Sequence, residues 1–287
     1  MDWALRYSIH LGYAPPERLL FRALAGTDRV DHVRFAARMG FAGVLYPWAT
    51  GRSAEERHAV KAALDETGLQ CGSIVSTPLA AFTDRVDPVW VAAGMEAQGR
   101  MLGYLADAIM VAKDLGSDNL AVLIRSDGQT APGVQRRRAV DRLRLAADIA
   151  ASNGMALAIE PMVNLPDMLL RSFAEGVELV RAAAHPSIKL IFDTGHLTRM
   201  GDPILSSYVE AYDDIHSLQL ADMPGRVEVG AGEIDFVPLL AHALRRGYRG
   251  LVDLEHDWLE PGEAAERRAI DRLSAIDARA RRLAFGD

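Results

Sequence analysis

MALAIEP (155–161), IKLIFDTGH (188–196), IHSLQLADMPGR (215–226) and GYRGLVDLEHDW (247–258) repeat one pattern. Each holds a short run rich in Ile, Val, Leu and Ala that ends, or nearly ends, in one polar side chain: Glu160, Asp193, Gln219 and Glu255. Helical periodicity follows each run within a few residues, which is how a buried parallel strand and its crossover helix read. The polar residue therefore lies at the strand's carboxyl end. If the strands close into a (β/α)8 barrel, those ends meet on the face where such barrels keep their active sites. Three carboxylates would converge there. Like charges that close raise one another's pKa or need a cation. An all-oxygen set of Glu160, Asp193, Glu255 and the Gln219 amide carbonyl suits a divalent metal ion such as Mg²⁺ or Mn²⁺. One such residue alone would more often be an ordinary strand end touching solvent; four in consecutive units argue against that.

Outward from these units, the chain reads as one domain over residues 1–287, since 287 residues at 49% hydrophobic suit a single α/β barrel. A formal charge of −7 and a pI near 5.6 leave no overall basic field for a nucleic-acid partner. The single cysteine, Cys71, allows no intrachain disulfide and no zinc site of several thiolates, which fits a reducing cytoplasm. The amino terminus MDWALRYSIHLGY has no basic segment before a long apolar run, and no stretch approaches a membrane span. A soluble, cytoplasmic protein is expected. The only lysines, Lys61, Lys113 and Lys189, lie in helical stretches or at the far end of a strand, which disfavours Schiff-base chemistry.

Eight strand–helix units are expected. LRYSIHL (5–11) is strand one, and alternation puts Arg6, Ser8 and His10 on one face with His10 near the mouth. GYAPPERLLFRALAGTDR (12–29) follows as a long loop with a short helix, of a size that covers substrate. FAGVLYP is strand two. The next helix takes Ser53 as N-cap, Glu56 as its capping-box partner and Gly68 as its stop. LQCGSIV is strand three, a helix spans about Val89 to Leu115, and NLAVLI is strand four. Asp253, two residues before Glu255, should point into the barrel one layer below the metal, and Arg6 is its expected partner. Arg136, Arg137 and Arg138 read as a solvated helix face, because Asp141 and Asp148 offset them and no aromatic platform accompanies them. No GxGxxG follows a strand and no GxxxxGK[ST] occurs, so a nucleotide fold has no support.

The motifs IEP (159–161), KLIFDTGH (189–196), IHSLQLADMPGR (215–226), GAGEIDF (230–236) and LEHDW (254–258) resemble the hydroxypyruvate isomerase group of the xylose-isomerase-like TIM barrels, with ketose 3-epimerases as near relatives. The resemblance is loose over most of the chain and specific in its carboxyl-terminal half, above all in Q-x-A-D-x-P-G-R followed by G-x-G-E-I. It implies one divalent metal ion, Mg²⁺, Mn²⁺ or Co²⁺, held by Glu160, Asp193, Gln219 and Glu255. It also implies that Glu160 and Glu255 are the acid/base pair and that His196 and Arg226 contact substrate oxygens. Sugar epimerases usually carry a histidine where this chain has Gln219, which favours the hydroxypyruvate isomerase branch. The chain departs from compact relatives in its longer first loop, in His10 where they tend to have an amide, and in VNLPDMLLRS after IEP. These departures surround the substrate, so His10 joins the substrate-binding candidates.

The expected reaction is isomerisation of a small hydroxy-carbonyl compound through a cis-enediolate. A divalent ion chelated by adjacent substrate oxygens acidifies the neighbouring C–H, one carboxylate takes the proton and a second returns it. Epimerisation of a ketose or keto-polyol would use the same residues, as would a metal-dependent lyase or dehydratase that expels a β-substituent. The glycines of GAGE sit where barrels often hold phosphate, with a plain structural turn as the alternative. The expected partners are a small-molecule substrate and further copies of the chain in a homo-oligomer, with neither nucleic acid nor membrane.

Overall fold

A computed structural model describes residues 1–13, 18–84 and 86–286. The described strands are β1 (Tyr7–His10), β2 (Gly43–Leu45), β3 (Gln70–Cys71), β4 (Ile74–Val75), β5 (Asn119–Val122), β6 (Ala156–Ile159), β7 (Ile188–Asp193), β8 (Ile215–Leu220) and β9 (Val252–Leu254). They form one parallel sheet in the order β3-β2-β1-β9-β8-β7-β6-β5-β4. The two ends of that order are consecutive pieces of LQCGSIV, expected as one strand. β3 pairs with β2 and β4 with β5, and Val75 N also donates to Pro47 O just past β2 at 2.8 Å. The sheet thus closes on itself, and nine strands make the eight staves of a (β/α)8 barrel. The break falls where Gly72 O turns to the Ser117 hydroxyl (2.7 Å) and the Ser73 hydroxyl donates to Asn119 Oδ1 (2.6 Å). Side chains there take the bonds a continuous strand would have made with its neighbours.

Helices α1 (Arg22–Ala25), α2 (Arg29–Arg38), α3 (Ala54–Thr67), α4 (Leu79–Thr83), α5 (Met95–Leu115), α6 (Pro132–Ser152), α7 (Phe173–Ala183), α8 (Thr194–Met200), α9 (Ile204–Ala211), α10 (Phe236–Arg245) and α11 (Glu263–Phe285) connect or flank the strands. Ser53 caps α3 by accepting from Glu56 N, and Gly68 ends it in the left-handed region. The other half of the expected capping box is absent, because the Glu56 carboxylate turns to the Tyr46 hydroxyl and to Arg29 at 3.2 Å. α5 starts six residues later than the apolar pattern suggests. The Arg142 guanidinium of α6 bonds the carbonyls of Val89 and Ala92 and holds that segment as a turn. The short helix expected after strand one is α1, whose Ala23 and Leu24 amides donate to the buried Glu266 of α11 at 2.9 and 2.8 Å. The Pro15–Pro16 part of that loop lies outside the described residues.

Alternation sorts the strand side chains. Tyr7, Ile9, Val44, Leu120, Val122, Leu157, Ile159, Leu190, Phe192, Leu218, Leu220, Val252 and Leu254 face the helices in one apolar core. Each large apolar side chain buried there contributes about 1.5–3 kcal/mol. The inward positions divide by side. Val75, Ala121, Ala158 and Ile191 join an apolar cluster on β4 to β7, whereas β8, β9 and β1 turn Ser217, Gln219, Asp253, Glu255, Ser8 and His10 inward, all buried. Asp253 lies in the barrel as expected, but Arg6 is not its partner. Arg6 precedes β1 at the floor, where it is exposed and donates to Arg249 O (2.8 Å) and Gln70 Oε1 (3.0 Å). The hydroxyl of Ser8, paired in register with Asp253, donates to Asp253 Oδ1 instead.

Burial pushes the Asp253 carboxyl up to about 7, with Asp193 and Glu160 adding to the rise against the Ser8 bond. An unfolded Asp titrates near ~3.9, so the folded chain holds this proton more tightly. The resulting stability is complete below the unfolded value and is lost as pH rises through about 7. In metal-free protein, Asp253→Asn should therefore flatten the fall in urea midpoint from about pH 5 to about pH 8 and leave the variant the more stable form at the upper end. A variant that kept the wild-type slope would assign the titration to another group.

Candidate active site

The DTGH motif turns β7 into α8 within one residue, and each of its four side chains has a structural task. Asp193 closes the strand and caps α8 by accepting from His196 N at 2.8 Å. Thr194 Oγ1 donates to Ala221 O and accepts from Ala221 N, both at 2.9 Å, which ties the end of β7 to the end of β8. Gly195 leaves space: a Cβ there would stand 2.7 Å from Arg226 Nη1 and 3.2 Å from Asp193 Oδ1. His196 turns its Nε2 to within 3.3 Å of Glu160 Oε1, without hydrogen-bond geometry. This helix directly after Asp193 was not legible from periodicity, since seven residues are too few to show it.

The following loop is folded around Asp222. Its carboxylate accepts from four backbone amides, Met223 and Ile234 on Oδ1 (2.8 and 2.9 Å) and Gly230 and Gly232 on Oδ2 (3.0 and 2.8 Å). Its own backbone exchanges two hydrogen bonds with Val227, at 2.8 and 2.9 Å. A Cβ on Gly232 would fall 2.4 Å from Met223 O and 2.5 Å from Asp222 Oδ1, so only glycine fits. Of the GAGE amides, those of Gly230 and Gly232 are taken by the chain's own carboxylate and those of Ala231 and Glu233 by backbone carbonyls, as in a structural turn. Within this loop Arg226, at φ 56, reaches Asp193 Oδ1 (3.1 Å), Asp193 Oδ2 (2.8 Å) and Glu255 Oε1 (2.7 Å).

The electrostatics follow from that count. Glu160, Asp193 and Glu255 are buried together with one guanidinium. Burial works against the Arg226 cation, yet Asp193 and Glu255 outweigh it and hold Arg226 firmly protonated. Burial also opposes the Asp193 charge, but Arg226 and His196 keep that carboxyl below its usual range. Glu255 goes the other way: burial, with Glu160 and Asp193 nearby, drives it well up despite Arg226. One cation cannot balance three carboxylates. With all three ionised, the excess of two negative charges would match one divalent cation.

The donor atoms fit such an ion. Glu160, Asp193 and His196 offer ligand atoms within 4.8 Å of one another. Glu160 Oε1 and Gln219 Oε1 are buried without a hydrogen-bond partner among the described residues, and Gln219 is the register partner of Asp193. Oxygen-rich sets of this kind suit Mg²⁺ or Mn²⁺, and an imidazole widens the range. Of the four residues expected as ligands, Glu160 and Asp193 lie within ligand distance of each other and of His196, Gln219 neighbours Asp193 in register, and Arg226 stands between Asp193 and Glu255. His10 reaches the mouth, but Gly12 N donates to its Nδ1 (3.1 Å) and its Nε2 donates to His256 O (3.1 Å). Burial lowers its pKa to about 3, so it is neutral and its nitrogens are bound to backbone. It presents only ring carbon.

Three features had no readable signal. The Tyr13 ring covers the Arg226 guanidinium at 5.2 Å, and its hydroxyl donates to Asp257 Oδ2 at 3.0 Å. A lone loop tyrosine carries no pattern. Trp48, Phe82, Met162 and Met168 form an apolar cluster with Val75, Leu123 and the inward Ala158 and Ile191 of β6 and β7, the strands that end at Glu160 and Asp193. A cavity of about 750 Å³ lies beside the site, lined by His10, Tyr13, Arg18, Leu20, His256 and Trp258 among others. The three carboxylates do not line it, and Tyr13 and His10 form the shared wall.

Replacing Arg226 by Met would strand two buried carboxyls, at a cost on the order of 3–5 kcal/mol. Both would then titrate above their unfolded values, so the deficit grows as pH rises and shrinks as they take up protons. Urea unfolding of metal-free Arg226→Met should show a larger loss at about pH 8 than at about pH 5. A loss independent of pH would mean that the guanidinium charge is not what balances the site.

Residues 33–276 match the family model of the xylose isomerase-like TIM barrel. Over 158 residues the chain is 28% identical to the hydroxypyruvate isomerase of Escherichia coli, an alignment covering 53% of this chain and 60% of that protein. It is 29% identical to a putative hydroxypyruvate isomerase of Streptomyces coelicolor, covering 84% of this chain and 88% of that one. It is 25% identical to the 2-oxo-tetronate isomerase of Cupriavidus necator, covering 81% and 92%. Among solved structures, an AP endonuclease, family 2, from Brucella melitensis superposes with a TM-score of 0.78 at 20% identity, over 91% of this chain and 96% of that one. A 3-keto-D-glucoside 4-epimerase from E. coli gives 0.75 at 18%, over 96% and 99%. These two share the fold. With the family match spanning most of its length, the closed parallel barrel and the acidic cluster at the carboxyl ends of its strands, this chain belongs to the xylose isomerase-like TIM barrel family.

Proposed function

We propose that the protein is a divalent-metal-dependent isomerase of a small, unphosphorylated hydroxy-carbonyl acid of the hydroxypyruvate or 2-oxo-tetronate kind. The observation that carries this reading is the burial of Glu160 and Glu255 three strands apart, at the ends of β6 and β9, with Asp193 and Gln219 between them. Two carboxyls on either side of a bound substrate suit removal of a proton from one carbon and its return to the next. Support also comes from several curated relatives named hydroxypyruvate isomerase or 2-oxo-tetronate isomerase, while a 3-dehydroshikimate dehydratase among the relatives keeps the lyase alternative in the test.

Glu160, Asp193, Gln219 and Glu255, with His196 adjacent, would hold the ion. When bound, it would polarise the substrate carbonyl and acidify the neighbouring C–H. Glu160 and Glu255, at opposite flanks of Asp193 and Gln219, are placed to take a proton from one carbon and return it to the next, and burial drives the Glu255 carboxyl up. Arg226 supplies a fixed positive charge against the enediolate oxygens, and His196, with Nδ1 unpartnered, supplies a further polar group. The apolar cluster of Trp48, Phe82, Met162 and Met168, which adjoins β6 and β7, would give the site an apolar wall. Occupation of the Gly230 and Gly232 amides by Asp222 supports a substrate without phosphate.

The test is a deuterium-exchange and product screen over hydroxypyruvate, 2-oxo-tetronate and free ketoses with Mg²⁺, Mn²⁺ or Co²⁺. Wild type should exchange the C–H next to the carbonyl of a keto acid and form its isomer. Exchange with inversion at one carbon of a ketose would instead make it an epimerase. Release of a β-substituent would make it a lyase, and no exchange with any compound would sink the catalytic reading. Glu160→Gln and Glu255→Gln should each lower turnover by a factor on the order of 10² or more, while metal affinity falls less than in Asp193→Ala. Normal turnover of both folded, metal-loaded variants would refute the two-glutamate mechanism. Gln219→His should keep metal binding but shift preference from Mg²⁺ toward Co²⁺, because nitrogen replaces oxygen; unchanged relative affinities would count against Gln219 as a ligand.

A further inference from the structure

We infer that Asp222 is a positioning residue that acts through Arg226. Arg226 has a left-handed backbone, φ 56, which is uncommon for a residue with a Cβ and persists only where its surroundings impose it. Those surroundings are the loop that Asp222 assembles. Two hydrogen bonds between the Asp222 and Val227 backbones close the turn around Arg226, and the amides of Met223, Gly230, Gly232 and Ile234 are gathered onto the Asp222 carboxylate. The Arg226 backbone itself is held by Arg226 N donating to Met223 Sδ at 3.3 Å, within the same loop, and by Asp257 N donating to Arg226 O at 2.8 Å. From that backbone the guanidinium bridges Asp193 and Glu255.

The carboxylate chemistry of Asp222 is specific. Each oxygen accepts from two amides, Met223 and Ile234 on one and Gly230 and Gly232 on the other. An asparagine has a single acceptor oxygen. Whichever way its amide is turned, two of the four N–H groups would lose their acceptor and face an NH₂ donor instead. Asp222 is fully buried, so water cannot fill the gap. Charge-assisted bonds to a carboxylate are also roughly twice as strong as neutral ones. The loop would relax, and the guanidinium would lose the place that its backbone gives it.

The test has two arms. Only the activity arm rests on the isomerase reading. In the first, the Arg226 Nε–Hε resonance of ¹⁵N-arginine protein is identified by its loss in Arg226→Lys and followed in Asp222→Asn. It should move toward the position of exposed arginines, while the signal of Arg142 on α6 stays in place. In the second, kcat/KM of Asp222→Asn should fall to within about threefold of Arg226→Gln, and the double variant should be no worse than Arg226→Gln alone, because residues acting as a unit are not additive. Gly232→Ala provides a second route, since its methyl would displace the same carboxylate without removing its charge, and the same shift of the Arg226 signal is expected. An unmoved Arg226 resonance in a folded variant, or losses that multiply in the double variant, would overturn the assignment. So would failure of both loop variants to fold while Arg226→Gln folds, since Asp222 would then serve the fold and not Arg226. If wild type shows no activity at all, the isomerase reading fails and the resonance still decides the role of Asp222.

Discussion

A single guanidinium among three buried carboxylates is the constraint around which this barrel mouth is organised. Charges of one sign do not gather in a low-dielectric interior without compensation. Arg226 satisfies Asp193 on both oxygens and Glu255 on one, and its charge cannot also serve Glu160. The remaining charge has two outlets, protonation of Glu255 or a bound cation. The same imbalance that would make the site a poor structural core makes it a good site for a divalent ion and for proton transfer. That is why the other unusual features cluster here: the left-handed Arg226, the glycine at position 195, and the helix that begins one residue after a strand.

Positions set by strand periodicity were legible in the sequence. Alternation at period two and a polar residue at each strand end located Glu160, Asp193, Gln219 and Glu255 on one face, and the closed sheet places them there. The inward orientation of Ser8, His10 and Asp253 follows from the same rule. Where sequence reading failed, the deciding bond was made by a side chain from far along the chain. Alternation assigns Arg6 and Asp253 to inward faces; β1 begins one residue later, and Asp253 is met by the hydroxyl of its direct register partner, Ser8. LQCGSIV reads as one strand, yet Ser117 and Asn119 take over its bonds at Gly72 and Ser73. The start of α5 moved because Arg142 captures two carbonyls across about fifty residues of chain. Partners at such separation leave no trace in local pattern.

The loop motifs were recognisable by resemblance before their physical purpose was. A-D-x-P-G-R and G-x-G-E-I read as two features in sequence and are one in space, because the carboxylate of the first binds the amides of the second. The glycines had suggested an anion site. They are one, and its anion belongs to the protein. Backbone amides that converge on a point attract negative charge whether or not it comes from a ligand. A glycine-rich turn therefore says that an anion is near, and a neighbouring Asp says which one.

The division of the barrel interior assigns chemistry and selection to different parts of the chain. Charged residues occupy strand ends, where hydrogen-bonded register fixes each Cα against its neighbours, as in the pairing of Asp193 with Gln219. The apolar half is built largely from connecting segments, with Trp48, Phe82, Met162 and Met168 all beyond the ends of their strands. Proton transfer tolerates displacements well under an ångström, so the groups that perform it belong on the rigid elements. Discrimination by an apolar surface tolerates more, at about 1–3 kcal/mol per methylene. Arg226 is the exception, a charged group carried by a loop. It can hold its place in the charged half only because Asp222 makes that loop as well bonded as a strand.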